Sequence, residues 1–245
     1  MDKIPVGILC ATGTVGQRFC QLLANHPWFE VTALAASKRS AGQTYAQGCH
    51  WLLPTPIPEA IASITIQPIE PNLDCRLVFS ALPSNIAEST ERGFAQAGYA
   101  VCTNAAPHRM ASNVPLLIPE VNASHAAIIT TQREQEGWSG LITASANCSA
   151  TQLTLGLKPL QDAFGIRQLS VVTMQAISGG GYPGVPSLDM IGNLVPYIRS
   201  EEDKVETEPL KMLGTLHEGQ IQEAEAIISA QCNRVPVRDG HTECI

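Results

Sequence analysis

The chain has no apolar run of the roughly 18 residues that a membrane span needs, and it carries no basic-then-apolar leader. Positive charge is also scarce. Fifteen Lys and Arg stand against 22 Asp and Glu, for a net charge of −7. With no basic stripe, the footprint of a nucleic-acid binder is missing. Eight cysteines occur, yet none form a C-x-x-C pair or a zinc-like Cys/His spacing. Cys49-His50 and His241…Cys244 are too close or too isolated to bind a metal. No metal is expected, and most of the thiols read as free and buried in a reducing compartment. There is no internal repeat and no low-complexity tract. These absences leave a cytoplasmic chain, or an organellar one after processing, with a small-molecule ligand and neither nucleic acid nor membrane as partner.

What is present is 245 residues, 44% of them hydrophobic, enough for one large domain or two modest ones with real cores. KIPVGILC (3–10), VTALAAS (31–37), CRLVFSAL (75–82) and YAVCTNA (99–105) read as buried strands. VGQRFCQLLANH and NIAESTERGFAQAG lie between them with helical periodicity. Alternating strand and helix implies a parallel sheet with crossover helices. LLIPEVN and LITASAN add two expected strands. A helix from Cys148, a strand over IRQLSVVTMQAIS, a Gly/Pro loop, a helix over EEDKVETEPLKMLGTL and a strand over AIISAQCNRVPV follow. The organisation changes near residue 147, from short βα units to longer strands.

Two stretches carry chemistry. The first strand runs into CATGTVGQRF, where Gly13 and Gly16 take the later two glycine positions of a phosphate-loop fingerprint and Thr12, Gly13, Thr14 and Val15 line the turn. Glycines let a backbone approach a pyrophosphate, and the helix start supplies N–H groups. The second strand ends in ASKRSAG. An acidic residue there would bond a ribose hydroxyl, whereas Ser37, Arg39 and Ser40 suit a 2′-phosphate and favour NADP over NAD. In ASANCSATQL, Cys148 follows a strand and opens a helix, where N–H groups and the helix dipole favour a thiolate. Asn147 can cap the turn or donate to a developing oxyanion.

Taken in order, ATGTVGQRF, SKRSAG, SALPS, TNAAPHRM, PLLIPEVN, NCSA, TMQAISGGGYPG, EEDK and CNRVPVRDGHT resemble the aspartate-semialdehyde dehydrogenases, and among them the branch of archaea and fungi. The resemblance implies an α/β fold, with a Rossmann-like parallel-sheet nucleotide domain over 1–147 and an α+β catalytic and dimerisation domain over 148–245. It implies Cys148 as nucleophile, His241 as acid/base and Gln175 as the residue holding substrate near the thiol. Arg234 would bind the substrate carboxylate and Glu201 its ammonium, while Lys204 and Arg109 would hold phosphate. Ser178 and Gly179 would touch the nicotinamide end of NADP. The implied reaction converts aspartyl phosphate to aspartate semialdehyde through a cysteine thioester, reversibly, in a homodimer or dimer of dimers.

Three departures accompany the resemblance. Cys10 stands where the family usually has glycine, and Gln43 where a Lys often follows RSAG. Family members also continue beyond the GHT motif, so the second domain is expected to be incomplete at its C-terminal end. Two other readings stand beside the first: a reductase of another acyl donor, such as the malonyl-CoA reductases that resemble this branch, and a non-catalytic truncated fragment that dimerises.

Overall fold

A computed structural model of the chain describes residues 2–245. The elements run β1 (Ile4–Leu9), α1 (Thr14–Leu23), β2 (Phe29–Ala36), α2 (Tyr45–Gly48), α3 (Glu59–Ala62), β3 (Ile66–Pro68), β4 (Leu77–Ser80), α4 (Ser84–Gln96) and β5 (Ala100–Thr103). Next come α5 (Pro119–Asn122), α6 (Ile128–Glu136), β6 (Leu141–Ala144), α7 (Cys148–Phe164), β7 (Gln168–Gln175), α8 (Ser187–Met190) and α9 (Glu201–Met212). The chain closes with β8 (Thr215–His217), β9 (Gln220–Gln222), β10 (Ile227–Arg234) and β11 (Thr242–Cys244). Among the described residues, no helix is long and apolar enough to cross a membrane.

Two compact units form. The first runs through His108 and resumes over Ile129–Ala144; the second takes Arg109–Ile128 and Ser145–Ile245. This differs from a single division at 147, because residues 109–128 belong with the later residues. The reason lies partly in Lys211, whose ammonium holds three carbonyls of that segment, at Arg109, Ala111 and Val114.

In the first unit six parallel strands are ordered β3-β2-β1-β4-β5-β6. Val6, Ile8, Leu9, Leu34 and Ala35 have no exposed surface, as expected of strands in a buried parallel sheet. α1 buries Gly16, Cys20 and Leu23 along one stripe, packed with Val6, Ile8 and Tyr45. Sheet order reverses at β1, which has β2 on one side and β4 on the other. The crevice beyond the carboxyl ends of β1 and β4 is where such sheets place ligands. LLIPEVN is not a strand: Ile118 is extended, and Pro119 opens the short helix α5. Proline's fixed φ and missing N–H suit a first helical position, and the apolar run hid that signal.

In the second unit β10 and β7 run parallel over eight residue pairs, and β11 adds antiparallel to β7. β10 alternates exposed and buried residues, and its inner face joins Leu153 and Leu157 of α7 and Val205 of α9 in one core. The outer edge of β10 is closed. Its N–H groups at Ala230 and Cys232 donate to Glu206 Oε1 (2.9 Å) and Glu202 Oε1 (3.1 Å) on α9, and Arg234 N–H donates to Val195 O at 2.8 Å. β8 and β9 form a hairpin whose turn residues, Glu218 and Gly219, both have positive φ.

Candidate active site

The loop after β1 is built for close approach. Cys10 takes φ +59°, a left-handed conformation that an L side chain adopts at a cost. The Gly13 N–H donates to the Cys10 carbonyl oxygen at 3.1 Å, and a Cβ on Gly13 would stand 3.3 Å from the Cys10 sulfur. A Cβ on Gly16 would run into the Cys10 carbonyl oxygen and come within 2.7 Å of Ala11 Cα, so only glycine lets α1 start this close to β1. The N-cap, Gly13, has no side chain to offer the first N–H groups of α1, so Thr12, Gly13, Thr14 and Val15 form an uncapped helix start at the switch point. Two residues that sequence reasoning passed over hold this loop. Gln17, fully buried, donates to Thr12 O (3.0 Å) and His50 O (2.9 Å) and accepts from Leu52 N–H (2.8 Å). Tyr45 donates its hydroxyl to Ala11 O at 2.8 Å. Beyond β2, Ser37 and Arg39 are exposed. Ser40 is not: it is buried, with its hydroxyl turned to Ser37 O at 3.4 Å.

The second unit gathers the expected reactive residues. Cys148 opens α7, and Asn147 is its cap, accepting from Ser149 N–H (2.9 Å) and Ala150 N–H (3.2 Å). Such a cap contributes about 1 kcal/mol. The side-chain amide of Asn147 donates to Glu201 Oε2 at 2.9 Å, so in this state it is committed to a carboxylate rather than to an oxyanion. His241 Nε2 lies 3.1 Å from Cys148 Sγ. The other ring nitrogen, Nδ1, receives the Ala176 N–H at 3.0 Å. An N–H pointing at Nδ1 requires that nitrogen to be bare, so the neutral ring carries its proton on Nε2, facing the sulfur.

Gln175 is a bridge. Its amide nitrogen donates to Glu201 Oε2 and its oxygen accepts from Arg234 Nη1, both at 3.4 Å, while Arg234 Nη1 also donates to Ala176 O at 2.7 Å. Lys204 Nζ donates to Glu201 Oε1 at 2.6 Å. Arg109 is buried and paired with Glu208, Nη1 to Oε1 at 3.0 Å. Ser178 and Gly179 lie exposed in a 3-10 turn, Ile177–Gly180, after β7. A Cβ on Gly179 would stand 2.8 Å from Arg234 Nη1 and 3.2 Å from His241 Cε1, so this turn meets the site only as glycine.

The electrostatics correct one expectation. The thiol of Cys148 titrates above its ordinary value, not below. Burial of the sulfur and the nearby Glu201 carboxylate raise it, and they outweigh the N–H groups of Ser149 and Cys148 and the charge of Arg234. His241 moves the other way, lowered by burial and by Arg234. Glu201 is held below the usual carboxylate range by Lys204, Asn147 and Gln175, against its own burial. The resting pair is therefore a neutral thiol beside a neutral imidazole that can donate to it.

The chain matches two family models. One, described as semialdehyde dehydrogenase, NAD binding domain, covers residues 5–129; the other, semialdehyde dehydrogenase, dimerisation domain, covers 157–245. An aspartate-semialdehyde dehydrogenase of Archaeoglobus fulgidus is 50% identical over 244 residues, spanning 99% of this chain and 71% of the relative. That of Methanothermobacter thermautotrophicus is 48% identical, spanning 99% and 70%. A crystal structure of the Candida albicans aspartate-semialdehyde dehydrogenase with NADP superposes with a TM-score of 0.90 at 43% identity, over 99% of this chain and 70% of that one.

Proposed function

The chain belongs to the aspartate-semialdehyde dehydrogenase family, and we propose that it interconverts 4-phospho-L-aspartate and L-aspartate 4-semialdehyde, with NADP, through a thioester on Cys148. The observation that carries this reading is the 3.1 Å approach of His241 Nε2 to a thiol at a helix start, within a polar group of Glu201, Gln175 and Arg234.

In the reductive direction the Cys148 sulfur attacks the acyl carbon of the acyl phosphate, and the proton of the thiol passes to the departing phosphate. A C–S bond forms, the C–O bond to phosphate breaks, and phosphate leaves toward Arg109 and Lys204. When bound, the nicotinamide cofactor supplies the hydride that reduces the thioester. The resulting hemithioacetal oxygen accepts the Nε2–H of His241, the C–S bond breaks, and the aldehyde leaves a thiolate behind. The ring so placed acts as a hydrogen-bond donor to sulfur and to developing oxyanion. Arg234 offers a donor fork to the substrate carboxylate. Glu201, an ionised carboxylate, meets the ammonium, and Gln175 spans the two.

The residues of the first unit fit a dinucleotide. The uncapped turn of Thr12, Gly13, Thr14 and Val15 offers N–H groups to a pyrophosphate. Ser37 and Arg39 are free of burial to meet a 2′-phosphate, while Ser40 contributes from the backbone side of the same turn. Ser178 and Gly179 take the nicotinamide end. The second unit carries the dimerisation-domain match, which supports a homodimer.

The test is NADPH formation from aspartate semialdehyde, phosphate and NADP. Cys148→Ala is expected to abolish it with NADP binding intact, and Arg39→Asp to weaken NADP far more than NAD. Turnover that needs coenzyme A in place of phosphate would overturn the substrate assignment; turnover surviving Cys148→Ala would overturn the thioester.

A further inference from the structure

Helix α9 brings two further buried charged side chains into play, one at the start of α7 and one at the segment that carries Arg109. Glu201 and Glu208 lie two turns apart, and Lys211 one turn beyond, so all three share a face. Glu201 holds the side-chain amide of Asn147; Glu208 Oε2 accepts the backbone N–H of the same residue at 2.6 Å. The other oxygen of Glu208 receives Arg109 Nη1 at 3.0 Å. Lys211 directs its ammonium at the main chain that carries Arg109, donating to Arg109 O at 2.7 Å, Ala111 O at 2.8 Å and Val114 O at 2.9 Å. Glu208 is 2% exposed and Lys211 3%.

We propose that Glu208 and Lys211 are positioning residues that set the distance between the guanidinium of Arg109 and the sulfur of Cys148. Neutralising Arg109 would need one carboxylate oxygen. Glu208 spends its second on the residue immediately before the nucleophile, so one side chain spans the anion binder and the thiol's cap. Lys211 fixes the backbone on which Arg109 stands, from the same helix. A buried ion pair contributes little net stability over apolar packing of equal volume, and what it adds is directional bonding. Here those bonds run to the two ends of a reaction: the group that would receive phosphate, and the helix start that presents the sulfur.

The proposal rests on reading Arg109 as the anion binder and Cys148 as the nucleophile, and its test needs no turnover. Iodoacetamide labelling of Cys148 is followed by mass spectrometry of its peptide while inorganic phosphate is titrated as protectant. Glu208→Gln keeps the length of the side chain and removes its charge; Glu208→Asp keeps the charge and shortens the reach. Both, and Lys211→Met, are expected to raise the half-protecting phosphate concentration about 10–100-fold, the scale of a misplacement near 1 Å. The Kd for NADP, by calorimetry, should stay unchanged. A merely structural role would lower the fraction of protein that is folded without moving the phosphate concentration at which the folded fraction is protected. Unchanged protection in both Glu208 variants overturns the proposal, as does full retention in Glu208→Asp, since charge alone would then suffice. Failure of phosphate to protect the wild-type thiol would overturn the anion-site reading, and the proposal with it.

Discussion

Cys10 shows what one residue costs where the backbone turns left-handed. The conformation at φ +59° costs an L-residue about 1–2 kcal/mol, while glycine's extra chain entropy costs about 0.5–1 kcal/mol. Cys10→Gly is therefore expected to raise stability by about 0.5–1 kcal/mol in urea denaturation. It also removes the sulfur from beside Gly13, so NADP binding by calorimetry should tighten. At Cys148 the upward shift of the thiol and the downward shift of His241 work together. An imidazolium–thiolate pair would give a thiolate plateau in weak acid. A neutral pair gives alkylation that climbs with pH and reaches its midpoint above the ordinary thiol value of about 8.5. The rate of Cys148 labelling between pH 6 and 10 is the measurement, and a plateau below pH 7 would contradict the assignment. Cys148 and Asn147 were legible from the residues themselves, while Gln175, Glu201, Lys204, Arg234 and His241 came only through the family resemblance; in the structure the seven come together. The direction of the thiol's shift was not legible, because it depends first on burial of the sulfur and then on Glu201, which is 53 residues away in sequence and adjacent only after folding.

At the scale of elements, α9 does work on two sides. Its inward face holds Asn147 and Arg109, while Glu202 and Glu206, one turn apart, close the edge of β10. Unpaired strand edges invite other strands. Glu202→Ala with Glu206→Ala is expected to cost about 1 kcal/mol per lost bond and to increase light scattering at high protein concentration. A stable, non-associating double variant would mean that water replaces both carboxylates without penalty. In the sequence EEDKVETEPLKM reads as a charged helix face, and nothing in its spacing tells which acids point inward. Glu208 and Lys211 were missed for that reason, and Gln17 of α1 because a single polar residue on a helix gives no sign of its burial. Short strands were missed differently. β3 and β11 have three residues each, too few for an alternation to register. The β8–β9 hairpin turns through Glu-Gly, a weaker signal than Asn-Gly. Longer strands and helices followed their periodicity closely, and LLIPEVN misled because an apolar run cannot by itself distinguish a strand from a helix start.

On the scale of the molecule, the residues separate largely by task, Ser178 and Gly179 being the proposed cofactor contacts that lie in the second unit. The uncapped helix start, Ser37 and Arg39 belong to the first unit. Cys148, His241, Gln175, Glu201, Lys204, Arg234 and Arg109 all belong to the second. The bonds that orient the sulfur, from His241, Asn147 and Glu208, are likewise internal to that unit. In kinetic terms this arrangement divides the reaction into partial reactions with separate requirements. On the proposed thioester route, acyl transfer to sulfur and its reversal by phosphate call on the second set alone, so they are expected to proceed with no dinucleotide present. Radiolabelled inorganic phosphate should then exchange into the acyl phosphate in the absence of NADP, at a rate lost in Cys148→Ala and retained in Arg39→Asp. Exchange that waits for the cofactor would mean that the dinucleotide helps to build the site as well as to carry the hydride. If exchange is independent, the chain can stand acylated with no hydride donor beside it, and its fidelity rests on how seldom water reaches the thioester in that interval.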